Sequence, residues 1–370
     1  MGAEHCSHVD DRAGHEPVRR PSCPIALRTT TMAAMLNGEL ADHGVYDGFE
    51  LQWFDDALHG TGMAVLLSRR EDRSVDCYVH HDICLDRAMY GIGAGVRTWN
   101  RVDLRGAHLE VHADGVSAEV AFLDVDGRQV MIDIDDRDGV ARRPAAMLAP
   151  VGAGTVRPSS LMLVWMPRFD LVRSAPGRGP VVRIDGEDVA LGTLPGARWH
   201  GRHLLKYAAP VWPIELCRDG DAPAVSGGQG RACLTGDGRA VKAISAAAEG
   251  HAAHIVFDPA FPDLRALDAG QAREGRWTVA VNDVDLTGGV WTATPGPGRT
   301  EVHLEVTRSW RPGALPWLMR VVTTLMPVFR RWPRTYAWRA TVPDGGGPPH
   351  GRWLRTGGQD GTAYRRATRT

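Results

Sequence analysis

The chain has 370 residues, 43% of them hydrophobic and 24% charged, and a formal net charge of −1. That balance belongs to a globular protein able to bury a sizeable core, and it excludes both a basic nucleic-acid-binding surface and a charge-rich disordered chain. The six cysteines are scattered with no CxxC pair, which excludes a disulfide-stapled secreted scaffold.

Residues 1–35 are rich in His, Arg, Asp and Pro and carry no secretory pattern, so they read as a disordered leader of a cytoplasmic protein. Strand patterns start at residue 36. Phe49–Phe54 and Met63–Leu67 are short apolar runs, with Asp55, Asp56 and His59 in the turn between them. Val75–Leu85 reads as one strand, with Val75, Cys77, Val79, His81, Ile83 and Leu85 on the core face. Tyr78, His80, Asp82 and Cys84 take its other face. A histidine on an apolar face is either a core residue with hydrogen-bond partners or a pocket base held neutral by burial. The spacing of His80, Asp82 and Cys84 suits a zinc ion, but it arises readily by chance and no metal is expected.

Asp-Gly pairs at 114–115, 126–127 and 138–139 recur at twelve-residue intervals and suit tight hairpin turns. Between them, Val116, Ala118, Val120 and Phe122 share one face of a strand, and Val130, Ile132 and Ile134 share one face of the next. Residues 142–160, with Pro144, Pro150, Gly152, Gly154 and Pro158, read as a linker. It would join an N-terminal unit over 36–150 to a C-terminal unit over 156–343.

In the second unit, Leu161–Val172, Val181–Ile184, Trp277–Val281 and Val302–Val306 read as strands. Residues 198–207 gather His200, His203, Lys206 and Tyr207, and Lys206 and Lys242 are the only lysines of the chain. On a strand, His200, Arg202, Leu204 and Lys206 share a face that can grip a carboxylate or enolate. Trp199, His203, Leu205 and Tyr207 share the other. The plainer alternative is a solvated polar face backed by an aromatic core face. His251 and His254 lack partner ligands, Gly91–Gly95 lacks a βαβ context, and no Walker, HExxH or GxSxG motif occurs.

Of the fifteen residues Leu315–Phe329, only Arg320, Thr323 and Thr324 are polar. The run is too short to span a membrane. Flanked by Trp310, Trp332 and several arginines, 315–331 is either a helix packed across the end of a barrel or a lid touching a membrane surface. From Asp344 onward the Gly-, Pro- and Arg-rich tail reads as disordered.

Many short strands punctuated by Gly-rich turns give a mainly β fold: two successive antiparallel barrels or sandwiches with one short C-terminal helix. The matched β units, with aromatic-rich strands Phe49–Phe54, Leu161–Phe169 and Trp277–Trp291, resemble the double lipocalin-like (calycin) proteins related to carotenoid 1,2-hydratase. The resemblance covers residues 36–343. It implies a hydrophobic, lipid- or isoprenoid-like ligand in a β-barrel cavity, with no metal or nucleotide cofactor. Trp53, His59, Tyr78, Trp99, Trp165, Trp199, Trp212 and Trp291 are the candidate ligand contacts. The alternative is a cofactor-free hydratase, isomerase or cyclase, with His81 or the row His200, Lys206 and Tyr207 as acid and base.

Overall fold

The computed structural model describes residues 20–87, 90, 94–152, 155–174, 179–194, 201–226, 230–310, 317–345 and 347–356, the side chains at 317–319, 322, 327 and 330 excepted. Its first strands are β1 (Leu27–Thr29), β2 (Ala34–Glu39), β3 (Tyr46–Asp56), β4 (Gly60–Arg69), β5 (Val75–His80) and β6 (Val96–Val102). There follow β7 (Arg105–His112), β8 (Gly115–Leu123), β9 (Gln129–Asp135), β10 (Ala145–Ala149), β11 (Leu161–Arg173), β12 (Val181–Ile184) and β13 (Glu187–Asp188). β14 (Arg202–Ala208) and β15 (Trp212–Leu216) precede the C-terminal strands β16 (Arg231–Leu234), β17 (Ala240–Ala248), β18 (His251–Pro262) and β19 (Arg273–Val281). The last are β20 (Val284–Gly296), β21 (Arg299–Arg308), β22 (Tyr336–Pro343) and β23 (His350–Arg355). Two short helices, α1 (Trp317–Leu325) and α2 (Pro327–Arg331), lie between β21 and β22.

The fold is mainly β, in three sheets, none of which closes into a barrel. A central ten-stranded sheet runs β1-β15-β11-β14-β2-β3-β4-β5-β6, with β10 paired to β11. A five-stranded sheet (β13-β12-β9-β8-β7) and an eight-stranded C-terminal meander (β16 to β23) complete the molecule.

Three long bent strands organise the centre. β1 and β2 pair β15 and β14 in one continuous register, Leu27 opposite Leu216 and Leu205 opposite Gly38. β15 and β14 likewise pair the two halves of β11. Side-chain alternation changes phase at the bend: Val164 and Met166 share a core with Phe169 and Leu171, although strict alternation would put the two pairs on opposite faces. Pro167 and Pro210 lie at the bend, where a missing N–H costs the ladder least.

The bend lets one sheet serve three cores. The first halves of the long strands (Leu27, Leu163, Trp165, Ile214) pack against the C-terminal meander. The second halves (Leu36, Val172, Leu205, Tyr207), with β3, β4 and β5, pack against the five-stranded sheet. The opposite face of the central sheet carries a third core, drawn from β2, β3, β4, β5, β10, β11 and β14.

The Asp-Gly meander matches its expectation. β8 and β9 pair with Ala118 opposite Ile134 and Phe122 opposite Val130, and their alternate residues fill the second core.

Several boundaries move. Residues 20–35 were expected in a disordered leader, yet Ile25 and Leu27 are fully buried; residues 1–19 lie outside the described residues. Within the expected linker, β10 pairs β11, and the sheet joins strands from both sides of it. Apolar Met147 and Leu148 outweigh the flanking prolines there. The chain therefore does not divide into barrels at 150/156. Past Asp344, β23 pairs β22 and buries Trp353 completely. In the segment 315–331, one expected helix is two, separated at Met326 because Pro327 opens α2.

Candidate functional site

One face of the central sheet combines an apolar lining with a buried polar chain. Residues opposite one another on adjacent strands share a face. The register places Lys206 opposite Asn37, Asn37 opposite Glu50, Glu50 opposite Leu66, Leu66 opposite Cys77, and Cys77 opposite Trp99. This single row crosses six strands on the side of the third core, where Met35, Leu66, Cys77 and Leu171 are buried. Gln52 lies in the next row, opposite Met35 and Ala64.

The polar groups form a directed chain. Tyr90 Oη donates to Gln52 Oε1 at 2.9 Å, and Gln52 Nε2 donates to Glu50 Oε1 at 2.6 Å. Asn37 Nδ2 reaches Glu50 Oε2 at 3.5 Å. Trp99 packs edge-to-face on Tyr90, ring centroids 5.2 Å apart. Gln52 is only 6% exposed, so this chain is interior rather than a solvated strand face.

Electrostatics follow from that burial. The Glu50 carboxyl is raised above its ordinary 4.5 by burial, against the opposing pull of Gln52, Asn37 and the Lys206 charge. Burial also pushes the Cys77 thiol up to about 12 and the Tyr90 hydroxyl well above its ordinary value. Both are therefore neutral donors near pH 7. Since the amides of Gln52 and Asn37 both donate toward Glu50, a protonated Glu50 must turn its O–H to another acceptor. A ligand oxygen on this face would serve.

A carboxyl whose proton is held more tightly in the folded chain stabilises the fold below its unfolded pKa. That contribution is lost as pH rises through the folded value. Glu50→Gln, permanently neutral, should therefore fall less in stability than wild type as pH rises from the ordinary carboxylate range toward neutral. The gain should be about 1.4 kcal/mol for each tenfold difference in proton affinity between folded and unfolded chains. Urea midpoints of both proteins across that range provide the measurement, and parallel profiles would remove Glu50 as a buried acid.

The other anticipated residues are dispersed. His81 was expected on the core face of a strand, but β5 ends at His80 and His81 lies in the following turn. Its side chain is 53% exposed, with Nε2 3.7 Å from Asp103 Oδ1. It is not a pocket base. Trp199 and His200 lie outside the described residues. Lys206 joins the row above, whereas Tyr207 points to the opposite face, into the second core. Its hydroxyl has no hydrogen-bond partner among the described residues.

The aromatic candidates divide similarly. Trp99 lies on the polar-chain face. Tyr78 is fully buried in the second core and accepts from Val125 N at 3.2 Å, with Trp53 packed against that core. Trp165, Trp212 and Trp291 belong to the first core, where Trp212 stacks on His251 at 4.5 Å. His59 is buried in the β3–β4 hairpin, its Nδ1 2.8 Å from Asp56 Oδ2 and its ring 5.0 Å from Phe54. That pair fixes the hairpin: Asp56 also accepts from His59 N at 2.8 Å.

Asn37, Glu50, Gln52 and Tyr90 were not anticipated. Among the described residues, no cluster of three or more His, Cys, Asp or Glu could hold a metal ion. No described helix is long and apolar enough to cross a membrane.

Compared with protein-family models, with curated proteins and with solved structures, the chain gives no match.

Proposed function

We propose that the chain binds a hydrophobic, lipid- or isoprenoid-like small molecule on the polar-chain face of the central sheet. The ligand's apolar body lies against the half-buried Trp99 and Leu204, above the buried floor of Met35, Leu66 and Leu171, and its single polar end meets Glu50, Gln52 and Lys206. The observation that carries this reading is the Tyr90–Gln52–Glu50 chain, an isolated polar group set within an apolar face. Binding sites for small molecules have this composition, mostly apolar lining with a few placed polar groups that fix orientation. The resemblance to double lipocalin-like proteins supports the same ligand class, carried here on an open curved sheet.

A second reading is a cofactor-free hydratase, isomerase or cyclase acting on such a molecule. The Glu50 carboxyl, held above its ordinary value by burial, favours it, because a buried carboxyl placed beside donors suits general acid–base work. In that case Glu50 is the proton carrier, Gln52, itself fixed by Tyr90, holds its carboxyl in position, and Lys206 is the countercharge to a developing enolate.

A panel of long-chain acids, alcohols and isoprenoids, followed by tryptophan quenching, tests the binding reading. At least one class should bind, and Glu50→Gln or Lys206→Met should weaken it at least about tenfold, or 1.4 kcal/mol, with the melting temperature retained. Affinity unaffected by both substitutions would overturn the assignment. Conversion of a bound ligand, lost in Glu50→Gln while binding persists, would select the enzymatic reading.

A further inference from the structure

We propose that the segment carrying α1 and α2 docks on the headgroup layer of an anionic lipid bilayer. Two large aliphatic side chains stand exposed one helical turn apart on α1: Val321 at 43% and Leu325 at 72%. Single exposed apolar residues are ordinary on protein surfaces; a pair at i, i+4 makes a continuous apolar strip. Arg320 and Thr324 are exposed beside them.

Charge identifies the occupant. Between Glu305 and Asp344 there is no acidic residue, while Arg308, Arg311, Arg320, Arg330, Arg331, Arg334 and Arg339 all fall there. A chain of net charge −1 thus places seven arginines and no acid in the stretch that carries α1 and α2, with Arg308 paired to Asp285 at 3.0 Å. An amphipathic element with aliphatic residues on one face and arginines about it sits in the interfacial layer of a membrane. Basic residues next to it are drawn to acidic headgroups within a Debye length. A protein partner would need an acidic surface with an apolar centre, whereas an anionic bilayer supplies both everywhere.

Position ties the surface to the site. Phe329 of α2 and Trp310, just ahead of α1, pack against the core of the polar-chain face. Docking would therefore bring that face close to the source of an apolar ligand. This purpose rests on the binding reading; the docking itself does not.

The test is co-sedimentation of the full chain with phosphatidylcholine vesicles, with and without a phosphatidylglycerol fraction, over a series of salt concentrations. Association is expected with the anionic vesicles alone, declining as salt rises. Leu325→Glu should reduce it at least about tenfold by placing a charge in the apolar strip. Leu325 is exposed, so an unchanged melting temperature should accompany that loss. No association with anionic vesicles at low salt would overturn the proposal, as would equal association of Leu325→Glu. A concentration-dependent dimer that Leu325→Glu dissociates would overturn it too, by showing a second copy as the occupant. Vesicle binding without any ligand binding would uphold the docking and overturn the ligand reading, and the converse would do the opposite.

Discussion

Trp353→Ala is expected to cost about 3–5 kcal/mol of stability, the range for emptying a buried tryptophan site. Trp353 is completely buried on the last strand, opposite Trp338. Its indole Nε1 donates to the carbonyl of Leu216 at 2.9 Å, so the residue fastens the end of the meander to β15 of the central sheet. The substitution opens a cavity in the first core and leaves that carbonyl without its donor. Trp353→Phe should recover part of the loss by refilling the space without restoring the hydrogen bond. Urea denaturation of the three proteins measures both effects, and a cost below about 1 kcal/mol for Trp353→Ala, the level of surface changes, would contradict the packing of β23.

Arg142→Ala should be comparably severe, about 3–5 kcal/mol, because it removes one partner of a buried ion pair. The Arg142 side chain is 3% exposed and lies 3.6 Å from the Asp136 carboxylate. It donates to the carbonyls of Asp114 and Asp136, each at 2.6 Å. Asp136 is held in turn by Val116 N at 2.7 Å and Arg173 N at 2.9 Å, and burial raises its pKa. Without Arg142 the carboxylate keeps its backbone donors but loses its countercharge. Arg142→Lys should rescue little, since one ammonium cannot reproduce the two-carbonyl fork. Denaturant midpoints near neutral pH decide this.

What the sequence made legible follows from how each strand is buried. β8 and β9 are covered on one face and open on the other, so apolar and polar residues alternate and both strands were located by pattern. β5 lies between two cores, with Tyr78 facing one and Cys77 and Val79 the other. Alternation carries no information about a strand buried on both faces, and the apolar run continues past His80 into the turn, where it no longer marks His81 as core-facing. Trp53 and Trp99 look alike in sequence, yet they meet different cores.

Glu50 and Gln52 escaped notice for a related reason. In Phe49–Phe54 they occupy the polar positions of an alternating strand, which read as solvated. The available signal was next door: Met63–Leu67 is apolar at every position, so both faces of the neighbouring strand had to be covered. A polar residue paired to such a strand is interior. Lys206 reads in sequence only as part of a polar row on its own strand, and the residues that give it a role come from the register across β14, β2 and β3.

The continuous register of residues 27–39 with 202–216 also sets a schedule for synthesis. Among the described residues the only strand partner of β1 is β15, and Leu216, opposite Leu27, leaves the ribosome 189 residues later. At the usual ~5–20 residues per second that interval is roughly 10–40 s. Hairpins such as β3–β4 and β8–β9 can form meanwhile, since they close within a few residues. The amino-terminal apolar stretch with Ile25 and Leu27 cannot, and one edge of β2 stays unpaired with it. The nascent chain thus carries a bare strand edge and an uncovered apolar segment through half its translation, the combination that holdase chaperones recognise.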